Sequence, residues 1–417
     1  MQHDLERWRG FFFQTTKDNT DFKRNLFLVY IKKKKSLFVL YRLIEKLKDG
    51  FFGSIAVLSF YLITYLFIRF PQNRKRISMA QLKTEKKSYG DIFGGNGNKI
   101  GLIYPSLLIS FSSIRPLVGR FLSKRIMHDF RILGVILKRY DLFIALRAIQ
   151  YLAYYDRFNF QIDKKSTDMI IVFTDGNPHG RALMQLAHSK NIKMCFVSHG
   201  EPNEPVLPIY CDLIYLLGER SSFRYKKVKS RFKKVLYHGH KDAFKKIREI
   251  EFKTNLRIGI FLSKSTILDN VIKLTYLLNK AFRCEAILIR RHPNMDLSKR
   301  EEKTLLKNSK VQISNGRSID RDIEKSDFIL AGDSTVHVDA LLRGCPSFYY
   351  RDLEEDFFDR YGYVKEGLIL DWNIDMSLDD INDFYQDLNK KNRINYYLNT
   401  EKDSQESIKE INEIIFE

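Results

Sequence analysis

A histidine and two arginines directly after an apolar run carry the clearest chemical signal in this sequence. Residues 286–289 read as a strand, and Arg290, Arg291, His292 and Pro293 follow it. A proline biases the preceding residue toward an extended backbone, so we expect the His292 imidazole to point into the following loop. An imidazole beside two guanidinium groups suits a phosphate group. The alternative is a histidine that only caps a strand.

Two hydroxyl side chains follow a later apolar run. Residues 328–330 read as a strand, the segment 331–335 contains Gly332, Ser334 and Thr335, and a predicted helix covers 335–342. Hydroxyls at a helix start, with free N–H groups and the positive dipole end, form a cradle for phosphate. The alternative is ordinary helix capping. Because this motif and the histidine motif occupy βα units of one domain, we expect both to bind one anion.

The candidate catalytic bases follow earlier strands. His199 comes after the predicted strand 194–197, and Gly200 permits a tight turn where an acceptor can approach. Histidine suits a general base because its ordinary pKa lies near neutral pH, although a loop histidine bonded to backbone is the alternative. Asp175 occupies the equivalent place one βα unit earlier, as a second candidate base or a turn-forming aspartate. Glu201 is a third acidic candidate.

From about residue 99, short apolar runs alternate with amphipathic stretches. These elements must position the candidate side chains. The predicted strands cover 100–108, 169–173, 194–197, 213–217, 235–237, 258–262, 286–289, 311–313, 328–330 and 347–350, and the predicted helices cover 181–188, 268–282, 319–326 and 335–342. This alternation is typical of parallel sheets with helices on both faces. We predict an α/β fold with two Rossmann-like domains that face each other across a cleft, where ligands bind beyond the carboxyl ends of the strands.

The predicted organisation has four parts. They are a helical, basic region that binds membrane or packs on the fold (1–98), an acceptor domain (99–250), a nucleotide-donor domain (251–375) and C-terminal helices (376–417). Residues 51–68 contain no charged side chain. Three interpretations stay open for this segment, namely a membrane-spanning helix, a helix in the membrane interface and a helix buried in the first domain.

Composition narrows the class of partner. The chain of 417 residues carries a net charge of +21, and residues 1–100 hold 20 basic against 8 acidic side chains. Such a surface favours polyanions, which include nucleic acid, anionic lipid and phosphorylated substrates. We expect no nucleic-acid partner, because no recognised binding motif is present and the aromatic residues fall within apolar runs. The polar N-terminus is not a secretory signal, so the protein is expected to stay inside the cell.

Several site types are disfavoured. The four cysteines have no metal-ligand spacing, which argues against a zinc ribbon and a disulfide scaffold. The P-loop pattern of nucleotidases is missing. Asp320 and Asp322 resemble the paired carboxylates that hold a metal in some sugar transferases, but their place at a helix start favours capping. We therefore predict neither a metal nor another cofactor.

The order of these motifs resembles a known group of enzymes. A strand followed by His-Gly in a first domain, then a strand with Arg-His-Pro and a strand with Ser-Thr-helix-Gly-x-Pro in a second, looks like the two-domain glycosyltransferase B (GT-B) fold. More narrowly, it resembles the bacterial surface-polymer transferases with His-Pro and Ser-Ser or Ser-Thr motifs. These include teichoic-acid glycerophosphotransferases, polysialyltransferases and capsule Kdo transferases. The resemblance covers residues 169–352.

The resemblance implies roles for particular residues. In that group the His-Pro histidine and the hydroxyl pair bind the phosphate of a cytidine-activated donor, which implies this role for His292, Ser334 and Thr335. The His-Gly histidine of the glycerophosphotransferases matches His199, whereas sialyl- and Kdo-type members use an acidic residue before glycine, which Asp175 matches. Asp339 stands where related enzymes carry a glutamate.

The resemblance also implies an activity. It implies an inverting, metal-independent transferase at the cytosolic face of the inner membrane, which extends or decorates a capsule, lipopolysaccharide or teichoic-type polymer. Its partners are then a nucleotide-activated sugar, a saccharide or lipid-linked acceptor and an anionic membrane surface. Two alternatives remain, namely a UDP-sugar-dependent transferase or epimerase of similar fold, and a basic nucleic-acid-binding protein without enzymatic activity.

Overall fold

The computed structural model describes most of the chain from residue 51 onward. The described residues are 51–69, 75–79, 83–105, 142–198, 200–202, 207–238, 245–251, 255–263, 265–292, 295, 297–314, 316, 318–354, 359–387, 389–399 and 401–417. His199, Pro293 and the predicted basic region before residue 51 lie outside this part.

The first domain is built on a seven-stranded sheet. Its strands are β1 (Ile68–Arg69), β2 (Arg76–Met79), β3 (Ile100–Pro105), β4 (Met169–Val172), β5 (Lys193–Val197), β6 (Tyr210–Leu216) and β7 (Arg231–Tyr237). The described helices are α1 (Phe51–Leu66), α2 (Lys83–Phe93), α3 (Leu142–Gln161), α4 (Pro178–Lys190) and α5 (Glu219–Lys227). The strand order is β1-β3-β2-β4-β5-β6-β7, and only the pair β1 and β3 is antiparallel.

Both faces of this sheet are buried. Ile170 and Val172 pack in one apolar cluster with α3 and α4, whereas Ile171 and Phe173 pack in a second cluster on the opposite face. Successive side chains of a strand point to opposite faces, so a strand covered on both sides reads as a continuous apolar run. This explains why the sequence alone located β4.

The second domain is a six-stranded, wholly parallel sheet. Its strands are β8 (Leu256–Phe261), β9 (Cys284–Arg290), β10 (Val311–Ile313), β11 (Phe328–Ala331), β12 (Ser347–Tyr349) and β13 (Leu370–Asp371). Its order is β10-β9-β8-β11-β12-β13. The helices that follow β8 are α6 (Leu268–Ala281), α7 (Lys299–Leu305), α8 (Ile319–Glu324), α9 (Val336–Leu342), α10 (Leu378–Gln386), α11 (Lys390–Leu398) and α12 (Ser404–Phe416). The predicted α/β class with two Rossmann-like domains is confirmed.

The domain limits differ from the prediction at both ends. The first sheet does not begin after residue 98, because β1 and β2 belong to it and β2 pairs with both β3 and β4. The C-terminal helices divide between the domains. Helices α10 and α11 pack in the apolar core of the second domain, whereas α12 returns to the first domain, where Ile411 and Ile415 are buried in the cluster that contains Phe173. These contacts with α12 join residues that are distant in sequence.

The apolar segment near residue 51 forms α1, one side of which packs on α3. Tyr61 and Tyr65 are buried, and the Tyr61 hydroxyl donates a hydrogen bond to Asp156 on α3 (2.9 Å). Ile55 and Ile63 lie on another side and are exposed by 46% and 55%. Among the described helices, none is long and apolar enough to cross a bilayer. The packing of Tyr61 and Tyr65 agrees with the buried-helix interpretation.

Candidate active site

The order of the strands determines which loops meet. In the second sheet the chain runs outward from the central β8 to β9 and β10, and then returns to place β11, β12 and β13 on the other side. All these strands are parallel, so His292 after β9 and the hydroxyl pair Ser334 and Thr335 after β11 flank the carboxyl end of β8. Ligands of open α/β sheets bind at such a reversal of strand order. The second domain therefore gathers the predicted phosphate-binding residues at one edge.

The first sheet has an equivalent reversal. Its strand order changes direction between β2 and β4, and Asp175 follows β4 at the carboxyl edge. The half-buried Asp175 carboxylate accepts a hydrogen bond from the buried Tyr225 hydroxyl (3.3 Å). Two arginines hold the surrounding loop, since Arg181 donates to the Asp175 carbonyl and Arg147 donates to the Gly176 carbonyl. Hydrogen bonds from Tyr225, Arg181 and Arg147 thus fix the Asp175 loop at the carboxyl edge of the first sheet.

The hydroxyl pair precedes the short helix α9. The Ser334 Oγ accepts a hydrogen bond from the Val336 N–H (3.3 Å), a contact that leaves the Ser334 hydroxyl proton unused. Thr335 is exposed and its side chain makes no capping hydrogen bond. Thr335 is the N-cap residue without a side-chain cap, and the Ser334 oxygen makes a local turn contact just before the helix, so ordinary capping explains neither hydroxyl.

A buried histidine outside the sequence motifs supports this loop. His337 has no exposed surface, and its Nε2 lies 2.8 Å from the Gly332 carbonyl while its Nδ1 lies 2.6 Å from the Ser347 hydroxyl. Burial lowers the pKa of His337 to about 4, so the ring is neutral at physiological pH. A neutral imidazole has one donor and one acceptor nitrogen. If Nε2 donates to the Gly332 carbonyl, Nδ1 accepts a hydrogen bond from the Ser347 O–H. The sequence signal was only its position, two residues after Thr335.

Two buried carboxylates lie behind the same loop. Glu354 accepts a hydrogen bond from Ser263, the second residue after β8, and its carboxyl carbon lies 2.7 Å from where a Cβ on Gly332 would be. Asp333 accepts from the Arg360 backbone N–H (3.0 Å), and burial raises the Asp333 pKa to about 6 against the opposing charge of Arg360. A Cβ at position 332 would force the Glu354 side chain to move from its contact with Ser263, so glycine suits this position.

The arginines beside the predicted histidine are already paired within the fold. His292 is half-buried, and its carbonyl accepts a hydrogen bond from the Met295 N–H (2.9 Å). Arg291, 37% exposed, pairs with Glu302 on α7 (3.1 Å), and Arg290 pairs with Asp322 on α8. Of these two arginines, Arg291 is the more exposed, so it is the better placed to reach a ligand.

The aspartate pair at the start of α8 does not cap that helix. Ser318 is the capping residue and accepts from the Arg321 N–H, whereas Asp320 pairs with Arg343 (2.6 Å) and Asp322 with Arg290. The expectation of capping is therefore wrong for these two carboxylates. Within the described part of the chain, no group of three or more histidine, cysteine, aspartate or glutamate residues is arranged to hold a metal ion. The four cysteines are free thiols.

Asp339 lies on α9, below the hydroxyl pair. Burial raises its pKa to about 6, and the positive charge of Arg343 opposes this shift. Its side chain is half-buried, and Lys87 of the first domain is near enough to contribute to its pKa. Asp339 is thus placed near the first domain.

The Glu201 carboxylate accepts hydrogen bonds from neighbouring side chains of the protein. It is 8% exposed, one carboxylate oxygen accepts from Arg220 and the other accepts from the Ser221 hydroxyl. Arg220 also donates two hydrogen bonds of 2.6 Å to Glu366 of the second domain. This contact holds the carboxyl edge of the first sheet toward the second domain.

Comparisons with solved structures give distant similarities over most of the chain. S. aureus MnaA, in a structure with UDP, is 13% identical, with a TM-score of 0.45 and coverage of 82% of this chain and 96% of that chain. A UDP-GlcNAc 2-epimerase from Neisseria meningitidis bound to UDP-GlcNAc is 12% identical (TM-score 0.44, coverage 82% and 99%). Acinetobacter baumannii MurG is 9% identical (TM-score 0.42, coverage 82% and 99%). No family model and no curated protein matches the chain. The fold assignment rests on the two sheets themselves.

Proposed function

We propose that the chain is an inverting, metal-independent glycosyltransferase of the GT-B type, which takes a nucleotide-activated sugar as donor. One observation carries the proposal. His292 follows β9, and Ser334 and Thr335 follow β11, on the two sides of the reversal in the second sheet, while Asp175 follows β4 at the reversal in the first sheet. The contact between Arg220 and Glu366 joins these two sides.

The donor side neutralises the departing phosphate. Transfer breaks the bond between the anomeric carbon and the phosphate oxygen, and the nucleotide leaves with additional negative charge. In the proposal His292 and the hydroxyls of Ser334 and Thr335 donate hydrogen bonds to that phosphate, and Arg291 adds positive charge. Prearranged donors aimed at developing charge are a large source of rate enhancement and do not require a metal ion.

The acceptor side supplies a general base. A carboxylate or imidazole removes the acceptor hydroxyl proton while the oxygen attacks the anomeric carbon from the face opposite the leaving group. Asp175 fits this role, and His199 remains the alternative base from the sequence. Glu201 fits it poorly because both of its oxygens already accept hydrogen bonds. We assign Glu201 a positioning role instead.

We further propose a cytidine-activated donor and an acceptor that belongs to a capsule, lipopolysaccharide or teichoic-type polymer. Support for a membrane-bound acceptor comes from the charge of the first hundred residues, where 20 basic side chains outnumber 8 acidic ones. Basic segments of this kind bind anionic lipid surfaces. The exposed Ile55 and Ile63 on α1 add apolar surface in the same region. The proposed location is the cytosolic face of the inner membrane.

The first experiment measures thermal unfolding of the full chain with CMP, CDP, UMP and UDP. A nucleotide that binds the native state at about 100 times its dissociation constant stabilises it by about 2.7 kcal/mol. We expect a cytidine nucleotide to raise the melting temperature most. We also expect the enzyme to release that nucleotide from the matching activated sugar when acceptor is added. A preference for UDP selects the UDP-sugar transferase or epimerase. Salt-sensitive binding to arbitrary DNA, without nucleotide binding or turnover, rejects the enzymatic proposal.

A further inference from the structure

Two arginines on α5 connect loops from both domains. Arg220 and Arg224 lie one helical turn apart and are 1% and 8% exposed. Arg220 donates to the Glu201 carboxylate of the first domain and to the Glu366 carboxylate and Tyr361 carbonyl of the second. Arg224 donates to the Pro202 carbonyl of the first domain and to the Arg360 carbonyl of the second (3.1 Å). Each arginine therefore contacts the same pair of loops.

The loop contacted in the second domain is held in a defined shape. Asp359 adopts a positive φ of 50°, and its carboxylate accepts hydrogen bonds from the N–H groups of Val364 (3.0 Å) and Lys365 (2.7 Å). Gly362, with a φ of +73°, leaves room for the Arg220 guanidinium, since a Cβ there would lie 2.7 Å from Nη2. The loop fits the guanidinium closely.

The same loop reaches the donor side. Arg360 contacts Asp333 through its backbone N–H (3.0 Å) and through its side chain (3.4 Å). Asp333 directly precedes Ser334, the first hydroxyl of the proposed phosphate site. A continuous set of polar contacts thus runs from Glu201 and Pro202 through α5 to the loop that carries the hydroxyl pair.

The charges in this connection are balanced, and the Arg220 and Glu201 side chains are buried. The guanidinium of Arg220 lies between the Glu201 and Glu366 carboxylates and 4.4 Å from the centre of the Tyr397 ring. Burial acts to lower the Arg220 pKa, but Glu366, Tyr397 and Glu201 outweigh this effect and raise it. A buried charge that loses one of its partners is strongly destabilised, so the connection responds sharply to single substitutions.

We infer that Arg220 and Arg224 are positioning residues that hold the loop after β5 at a fixed distance from the donor loop after β11. This inference rests on the proposed function, since it assigns the two loops to the acceptor and donor sides of one reaction. Misplacement of reacting groups lowers the rate of the chemical step while the donor phosphate contacts remain. Loss of the connection therefore reduces kcat much more than it weakens binding of the free nucleotide.

The test uses Glu366→Gln in the full chain, because the Glu366 side chain is 39% exposed and lies in a loop outside both sheets. Glu413→Gln on α12, 52% exposed, is the matched control. We expect Glu366→Gln to raise amide hydrogen exchange at Gly200 and Glu201 and in residues 359–367 by about tenfold or more, with unchanged exchange in β4 and β8. Arg224→Lys, which keeps the charge, is expected to give a smaller increase.

The kinetic measurement separates positioning from donor binding. With the activated sugar that wild type uses, Glu366→Gln should lower kcat by about tenfold or more, while the dissociation constant of the matching nucleotide changes by less than about threefold. Unchanged exchange at Gly200 and Glu201 overturns the inference whatever reaction the protein catalyses. A wild-type chain that turns over no donor refutes the proposed function, and exchange alone then decides whether the connection exists. Equal effects in Glu413→Gln also overturn the inference.

Discussion

The buried ring of His337 makes the stability of the second domain sensitive to mild acid. The folded protein holds its pKa at about 4, whereas the ordinary value is 6.5, because burial disfavours the charged ring. Between these two values the unfolded chain binds more protons than the folded chain. The free energy of unfolding therefore falls as the pH drops from about 6.5 toward about 4.

The size of this effect follows from the two pKa values. Between about pH 7.5 and about pH 5, proton linkage at one such histidine removes about 2 kcal/mol of unfolding free energy. Glutamine at position 337 can form hydrogen bonds to the Gly332 carbonyl and the Ser347 hydroxyl but does not titrate. His337→Gln should therefore lose about 2 kcal/mol less than wild type over this interval, even if it is less stable at neutral pH.

The assay is urea-induced unfolding of wild type and variant at both pH values. His188→Gln provides the matched control, since His188 is exposed in the last turn of α4. His238, whose pKa burial also lowers to about 4, is unchanged in all three proteins and cancels in the comparison. If His337→Gln and wild type lose the same free energy between the two pH values, the neutral buried ring is not the cause, and the reasoning is refuted.

Three further predictions address the donor loop, the proposed phosphate contact and the C-terminal helix. Gly332→Ala should weaken nucleotide binding at least tenfold in calorimetry, because its Cβ would displace the Glu354 side chain behind the donor loop, whereas Gly90→Ala, with open space around it, should leave binding unchanged. His292→Ala should lower kcat by about a hundredfold or more with an unaltered circular dichroism spectrum, and full turnover by this variant would remove the donor-phosphate assignment. Ile415→Ala should destabilise the protein by about 2 to 5 kcal/mol in urea unfolding, because it empties a buried site between α12 and the first sheet, and a loss below about 0.5 kcal/mol would contradict that packing.

The fold class was accessible from the sequence because the parallel strands are buried on both faces. The runs around Ile170, Ile258 and Ile329 are continuously apolar, and each becomes a strand near the predicted residues. The domain limits were less accessible. The short strands β1 and β2 lack such a run, and their membership of the first sheet depends on pairing with β3 and β4, which are distant in sequence.

The candidate site, like the fold, could be predicted from the sequence only in part. Local motifs were enough to predict His292, Ser334 and Thr335 as candidates, since each follows a strand whose end could be read directly. The roles of Glu201 and Arg290 could not be read from spacing, because their partners Arg220 and Asp322 come from other elements. A motif indicates which chemical groups are present, but it does not indicate which of them form ion pairs or hydrogen bonds within the protein.

The sequence by itself determined which reactive groups are present, namely an imidazole, two hydroxyls and acidic groups at the ends of strands. It also determined the α/β class, because local apolar patterns reflect burial on both faces of a sheet. Only the tertiary structure decided that α12 returns to the first domain and that α5 joins the two sides through Arg220 and Arg224. These features depend on contacts between residues that are far apart in the chain. Such contacts are determined by tertiary packing, and no local segment of the sequence encodes them.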